Sequence, residues 1–202
     1  MVSKSRVPDE LKENYSEYLN LDLAIPKPYY EDIEAVKAIL LGSNPMIIRD
    51  SDEEAFVFKL STFKVGREGE EIFGNIYNNL QAVDLDIKNI YAENLCKNYL
   101  KNISVHDDAW ARIANIWGKH LKDELDELFP KDIPVLITAS WMLKALGKEM
   151  KDGMYYYTEN VFIQPEDNIL DRLIIPFFRQ KQYDLNRDMF VDYKKKIKEN
   201  IK

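Results

Sequence analysis

Ala35-Val36-Lys37-Ala38-Ile39-Leu40-Leu41-Gly42-Ser43-Asn44-Pro45 joins a short apolar run to a Gly-x-Asn-Pro turn. The run is too short for a helix and reads as a strand buried on both faces. In open α/β sheets, ligands and chemistry gather outside the carboxyl ends of such strands. Here that end presents backbone N–H groups and an amide side chain at one point. Pro45 fixes its own φ and narrows the backbone choices just before it. The turn is expected to hold a ligand.

Working outward, three further short apolar runs are read as strands, so that the set is 36–41, 90–95, 135–138 and a weaker one at 160–164. Helical patterns separate them. Residues 70–83 carry Ile72, Phe73, Ile76, Leu80 and Val83 at helical spacing, and 108–129 repeats the pattern with Ile113, Ile116, Trp117, Leu121, Leu125 and Leu128. A helix over 140–150 is expected with Ser140 as its N-cap. Helices over 9–19, opening at Pro8-Asp9, and over 188–201 close the two ends. Strands alternating with helices predict an α/β fold: a doubly wound, mainly parallel four-stranded sheet with helices on both faces. No repeat, linker or composition break interrupts 1–202, which reads as one domain with a core over about 30–185.

Composition narrows the function classes. With 46% apolar and 31% charged residues in 202, and only seven Gly and eight Pro, the chain can bury a core and is not of low complexity. One cysteine, Cys96, excludes an internal disulfide, and with His106 and His120 alone beside it no zinc or iron–sulfur ligand set is expected. No cofactor is called for. The N-terminal residues lack the apolar core of a signal peptide, and no run approaches the ~20 residues of a membrane span, so a cytoplasmic protein is expected. A formal charge of −7 argues against bulk, sequence-blind nucleic-acid binding, while leaving room for a local basic contact. The one basic run, Lys194-Lys195-Lys196-Ile197-Lys198, suits a helix C-terminus and a solvated face. Nothing in the sequence fixes an oligomeric state.

A set of ordered motifs resembles a known superfamily. Gly42-Ser43-Asn44-Pro45 after a buried strand resembles the first motif of the uracil-DNA glycosylases, in its Gly-x-Asn-Pro form. Ala55-Phe56-Val57-Phe58 follows, where that superfamily carries the aromatic that stacks on a flipped base. Phe73-Gly74-Asn75-Ile76-Tyr77-Asn78-Asn79-Leu80 is similar to its next helix, and Ile90-Tyr91-Ala92-Glu93-Asn94-Leu95 to the strand ending in the asparagine that reads the pyrimidine edge. The likeness is nearest to a uracil-DNA glycosylase-like branch whose activity the resemblance does not supply. That branch shares Tyr-x-x-Asn-Leu-Cys-x-Asn-Tyr (91–99), Pro-Val-Leu-x-Thr (134–138) and Ile-Pro-Phe-aromatic-Arg-x-x-x-Tyr (175–183).

The resemblance implies a protein of DNA repair that binds a flipped or free nucleobase and hydrolyses the N-glycosidic bond. A base inside a duplex is inaccessible, so it must be extruded, stacked and read along its edge. Phe58 would stack and Asn94 would read, with Gly42, Ser43 and Pro45 shaping the base pocket. Asn44 would position the attacking water, but an amide cannot take its proton as an aspartate could. Active members place a histidine after the fourth strand; here the corresponding Phe162-Ile163-Gln164-Pro165-Glu166-Asp167 offers Gln164, a neutral donor, beside two carboxylates that repel phosphate. A second alignment puts Arg179-Gln180-Lys181 in that role, with Arg179 a permanent cation and an anion contact.

Plainer readings stand beside each of these. Asn44 suits a tight turn, Phe58 a strand face of the core, and Asn94 a strand end. Cys96 reads as a small buried hydrophobe, His120 as a helix boundary residue and His106 as a polar group at a helix start. Tyr155-Tyr156-Tyr157 reads as a half-buried edge segment or a stacking platform. Arg179 and Tyr183 suit structural pairing as well as pocket lining. Two other functions stay open: a catalytically silent nucleic-acid or nucleobase binder, and a binder of another small ligand on the same fold.

Overall fold

The strand read from residues 36–41 is the centre of the sheet. In the computed structural model, which describes residues 6–45, 70–147 and 151–201, it spans Ala38–Gly42 (β1). β2 is Ile90–Asn94, β3 is Val135–Ile137 and β4 is Ile174–Pro176. All four are parallel in the order β2-β1-β3-β4. Every strand residue is buried, so both faces of the sheet are covered. The expected α/β doubly wound architecture is present, and the sheet is parallel throughout.

Helices follow the expected periodicities with shifted ends. They are α1 (Asp9–Tyr15), α2 (Glu70–Ala82), α3 (Asp108–Leu128), α4 (Met142–Leu146), α5 (Gly153–Thr158) and α6 (Val191–Asn200). α3 buries Trp110, Ile113, Ala114, Trp117, Leu121 and Leu125, a stripe at three- and four-residue spacing. α1 ends earlier than expected, passing into a 3-10 turn at Ser16–Tyr18. α4 starts later than expected: Trp141 sits at its cap without a side-chain bond, and Ser140 contributes only its carbonyl, which accepts from Leu143 N–H at 3.0 Å.

The fourth strand is the main correction. Residues 160–164 do not form it; there a single residue, Ile163, makes an antiparallel bridge to Ile174, and β4 itself is Ile174–Pro176. The tyrosine run, read as a half-buried edge segment or a stacking platform, lies in α5. Tyr155 is exposed, while Tyr156 and Tyr157 are buried.

Tyr157 anchors the packing of the C-terminal third. Its ring stacks on Tyr193 at 4.4 Å and meets Tyr183, Phe190 and Phe178 at 4.7, 5.1 and 5.6 Å. Its hydroxyl accepts from Phe178 N–H at 2.6 Å. Gly153, one turn earlier, admits this cluster: a Cβ there would lie 2.5 Å from Tyr183 Oη and 3.1 Å from Phe178 Cε2. Packed aromatic rings give way poorly. Gly153→Ala is therefore expected to cost about 1–2 kcal/mol in urea unfolding, although alanine is the better helix former.

On the other side, Asn79 is fully buried and uses both ends of its amide. Its Nδ2 donates to Tyr183 O at 3.0 Å and its Oδ1 accepts from Leu185 N–H at 2.8 Å. Asn75, one turn before it, donates to Gln180 O at 3.1 Å. The chain just after β4 is thereby fixed to α2.

Candidate functional site

The order β2-β1-β3-β4 makes the boundary between β1 and β3 the topological switch point. The chain leaves β1 for β2 on one side and returns to β3 on the other. The carboxyl ends facing that point are Gly42-Ser43-Asn44-Pro45 and the start of 138–141. Thr138 closes the gap between them: its N–H and its hydroxyl both donate to Leu41 O, at 3.1 and 3.0 Å.

The turn after β1 is held from the β2 side as well. Gly42 lies in register with Asn94, and pairing continues past the strands, with Leu95 N–H donating to Gly42 O and Cys96 N–H to Ser43 O, both at 2.8 Å. Pro45 is buried, while Ser43 and Asn44 are half-buried. Asn44 Oδ1 accepts from the Trp110 indole N–H at 3.3 Å, and its Nδ2 donates to Pro45 O at 3.3 Å. The amide is thus oriented by α3, and among the described residues Oδ1 accepts only this one hydrogen bond.

Asn94 is 3% exposed, and its Nδ2 has no hydrogen-bond partner among the described residues. A buried donor left without an acceptor costs about 1–3 kcal/mol. Asn98, 1% exposed, leaves its Oδ1 in the same condition. Between them, Lys97 is buried and pairs with Glu93, whose Oε2 is 3.3 Å from its Nζ, and with Glu124 of α3. Glu93 Oε1 accepts from Asn94 N–H at 2.8 Å. Burial drives the Glu93 carboxyl up to about 7, against the pull of Lys97 and the Asn94 N–H. The segment 93–98 therefore puts four polar side chains into the interior at the edge of the switch point. Cys96, beside them, is buried, and desolvation pushes its thiol upward, which suits the expected inert hydrophobe.

Of the residues singled out from sequence, Gly42, Ser43, Asn44, Pro45 and Asn94 lie together at the carboxyl ends of β1 and β2. Phe58 lies outside the described residues. Gln164 is at the other end of the sheet, a correction to its expected place beside Asn44. Ile163 runs antiparallel to Ile174, the first residue of β4, so Gln164 comes level with the strand starts. It is exposed, its amide donates to Phe162 O at 3.3 Å, and Asn168 ties its carbonyl and that of Arg172 together. Arg179 follows the true β4 and stands at the carboxyl end, where its N–H donates to Thr138 O at 3.2 Å.

Trp110, Trp141, Glu93, Lys97 and Asn98 were not singled out by role. Three of them stand inside the motif 91–99, where charged and amide residues occupy the end of β2 and the turn after it. His106 packs edge-on against Trp141 at 5.8 Å and His120 against Trp117 at 6.4 Å; both histidines are exposed. Among the described residues, no group of three His, Cys, Asp or Glu side chains is placed to hold a metal ion, and no helix is long and apolar enough to cross a membrane. No family model matches the chain, and no curated protein matches it.

Proposed function

We propose that the carboxyl ends of β1 and β2 form a nucleobase pocket of uracil-DNA glycosylase type, in which Asn94 reads the edge of a flipped or free pyrimidine. The observation that carries this is the buried Nδ2 of Asn94, which has no hydrogen-bond partner among the described residues and stands in register with Gly42 beside the Gly-x-Asn-Pro turn. A primary amide offers a donor and an acceptor side by side, the complement of a pyrimidine carbonyl and its adjacent ring N–H. Burial makes such a pair discriminating, because a ligand without the matching groups leaves the donor unpaired.

Hydrolysis is the second reading, and the orientation of Asn44 by Trp110 favours it. A fixed amide oxygen at the switch point can hold a water, while the proton must leave by another route. The test measures binding and base release together, on single- and double-stranded oligonucleotides carrying uracil, hypoxanthine or a mismatch. Wild type is expected to bind the uracil strand, and Asn94→Leu to weaken that binding about tenfold, the cost of about one lost buried hydrogen bond. Release that disappears in Asn44→Ala establishes the hydrolase; binding without release establishes the silent binder. Equal affinity for uracil-bearing and unmodified strands, in both wild type and Asn94→Leu, overturns the pocket.

A further inference from the structure

Two cations are fully buried among the described residues, Lys97 and Arg172, and both have carboxylate partners. Arg179 is different. It is half-buried, its guanidinium lies over the Trp141 ring at 5.5 Å, and among the described residues it has no carboxylate within ion-pair distance. Burial pulls its pKa down, because the charge is partly stripped of water. The ring it lies on carries a second unmatched donor, since the buried Trp141 Nε1 has no acceptor among the described residues.

Position adds to this. The Arg179 backbone is fixed to Thr138 of the switch point by its N–H, and the chain after it is fixed to α2 through Asn75 and Asn79. From Asn94 at the end of β2 to Arg179 beyond β4 the sheet takes three strand steps, roughly 14 Å at about 4.8 Å each. That is wider than one base. A base at Asn94 and an anion at Arg179 are therefore separate parts of one ligand or of one strand.

We propose that Arg179 anchors a phosphate, so that the site takes a phosphorylated nucleoside, as a free nucleotide or within a strand, in preference to a bare base. This rests on the nucleobase reading of Asn94. A guanidinium held over an indole face presents a planar N–H fork, which suits the bidentate grip that phosphate allows and that a lysine cannot reproduce. On a chain of charge −7, such a grip must be local.

The experiment titrates deoxyuridine, deoxyuridine monophosphate, a uracil-bearing single-stranded pentanucleotide without terminal phosphates, and inorganic phosphate into wild type, Arg179→Met and Arg179→Lys by calorimetry. Thermal unfolding confirms that each variant is folded. The expected result is about tenfold tighter binding of the monophosphate or the pentanucleotide than of deoxyuridine in wild type. Whichever of the two gains names the source of the phosphate. Arg179→Met removes that gain and leaves deoxyuridine unchanged; Arg179→Lys keeps only part of it. Equal binding of phosphorylated and bare nucleoside in wild type, or a gain that survives in Arg179→Met, overturns the anchor while leaving the base pocket in place. If inorganic phosphate binds in an Arg179-dependent way and no nucleoside binds, the base reading fails and the anion site stands. Absence of binding by every probe overturns both.

Discussion

Replacing Arg172 with methionine is expected to remove about 3–5 kcal/mol of stability, the range for breaking a buried ionic network by deleting one partner. The side chain is wholly buried just before β4. Its Nη2 donates to Leu125 O at 2.9 Å, Phe129 O at 2.8 Å and Asp126 Oδ1 at 3.0 Å, and its Nη1 donates to Pro130 O. The three carbonyls lie in the last turn of α3 and just past its end, where the aligned peptide dipoles also favour a cation. Methionine fills much of the same volume and satisfies none of them. Asp126 would lose one of the hydrogen bonds that, with those from Lys122 and Lys131, outweigh its partial desolvation and hold its carboxyl well below the usual range. Urea unfolding of Arg172→Met and Arg172→Lys measures the effect, and lysine should recover only part of it because it lacks the planar fork. A loss under about 1 kcal/mol in Arg172→Met would show that water replaces the guanidinium without penalty.

Between pH 5 and 8 the protein is expected to lose stability, by a total on the order of 3 kcal/mol, through the titration of Glu93. Burial raises its folded-state pKa from the usual 4.5 to about 7, despite Lys97 and the Asn94 N–H, with Glu124 adding to the rise. Between those two values the folded carboxyl keeps a proton that the unfolded chain has released. The stabilisation is thus full below about 4.5 and is lost as pH rises through about 7. The lowered carboxyls Asp126, Asp108 and Asp171 act below this window, and their stabilisation is lost only as pH falls. Glu93→Gln should flatten the profile. Urea midpoints at pH 5 and 8 for the two proteins check this, and an unchanged slope in the variant would assign the titration to another group.

Much of the architecture was legible because buried parallel strands are almost wholly apolar. Ile39-Leu40-Leu41 and Val135-Leu136-Ile137 admit few other readings at their lengths, and α3 shows its stripe openly. The fourth strand was not legible, for a local reason. Ile174-Ile175-Pro176 is only three residues long and ends in a proline, a residue that argues against a strand. Val161-Phe162-Ile163 has the better strand composition and does contribute one bridge. That misplacement carried the site with it: the loop after 160–164 faces the wrong end of the sheet, whereas the loop after the true β4 carries Arg179. Asn44 was singled out because strand ends collect ligands, and Asn94 only through the motif resemblance. Arg172 was not, since a cation in an apolar stretch reads as surface until the helix end it caps is known.

The position of β1 between β2 and β3 also bears on how the chain must be assembled. Leu41 and Thr138, joined across the switch point, are 97 positions apart. Closing so long a loop delays the pairing relative to local contacts. Until β3 docks, one edge of this fully buried apolar strand stands open, with its N–H and C=O groups ready for any extended chain. The same central placement that steadies the Gly-x-Asn-Pro turn in the finished molecule therefore makes the unfinished one prone to pair with its neighbours.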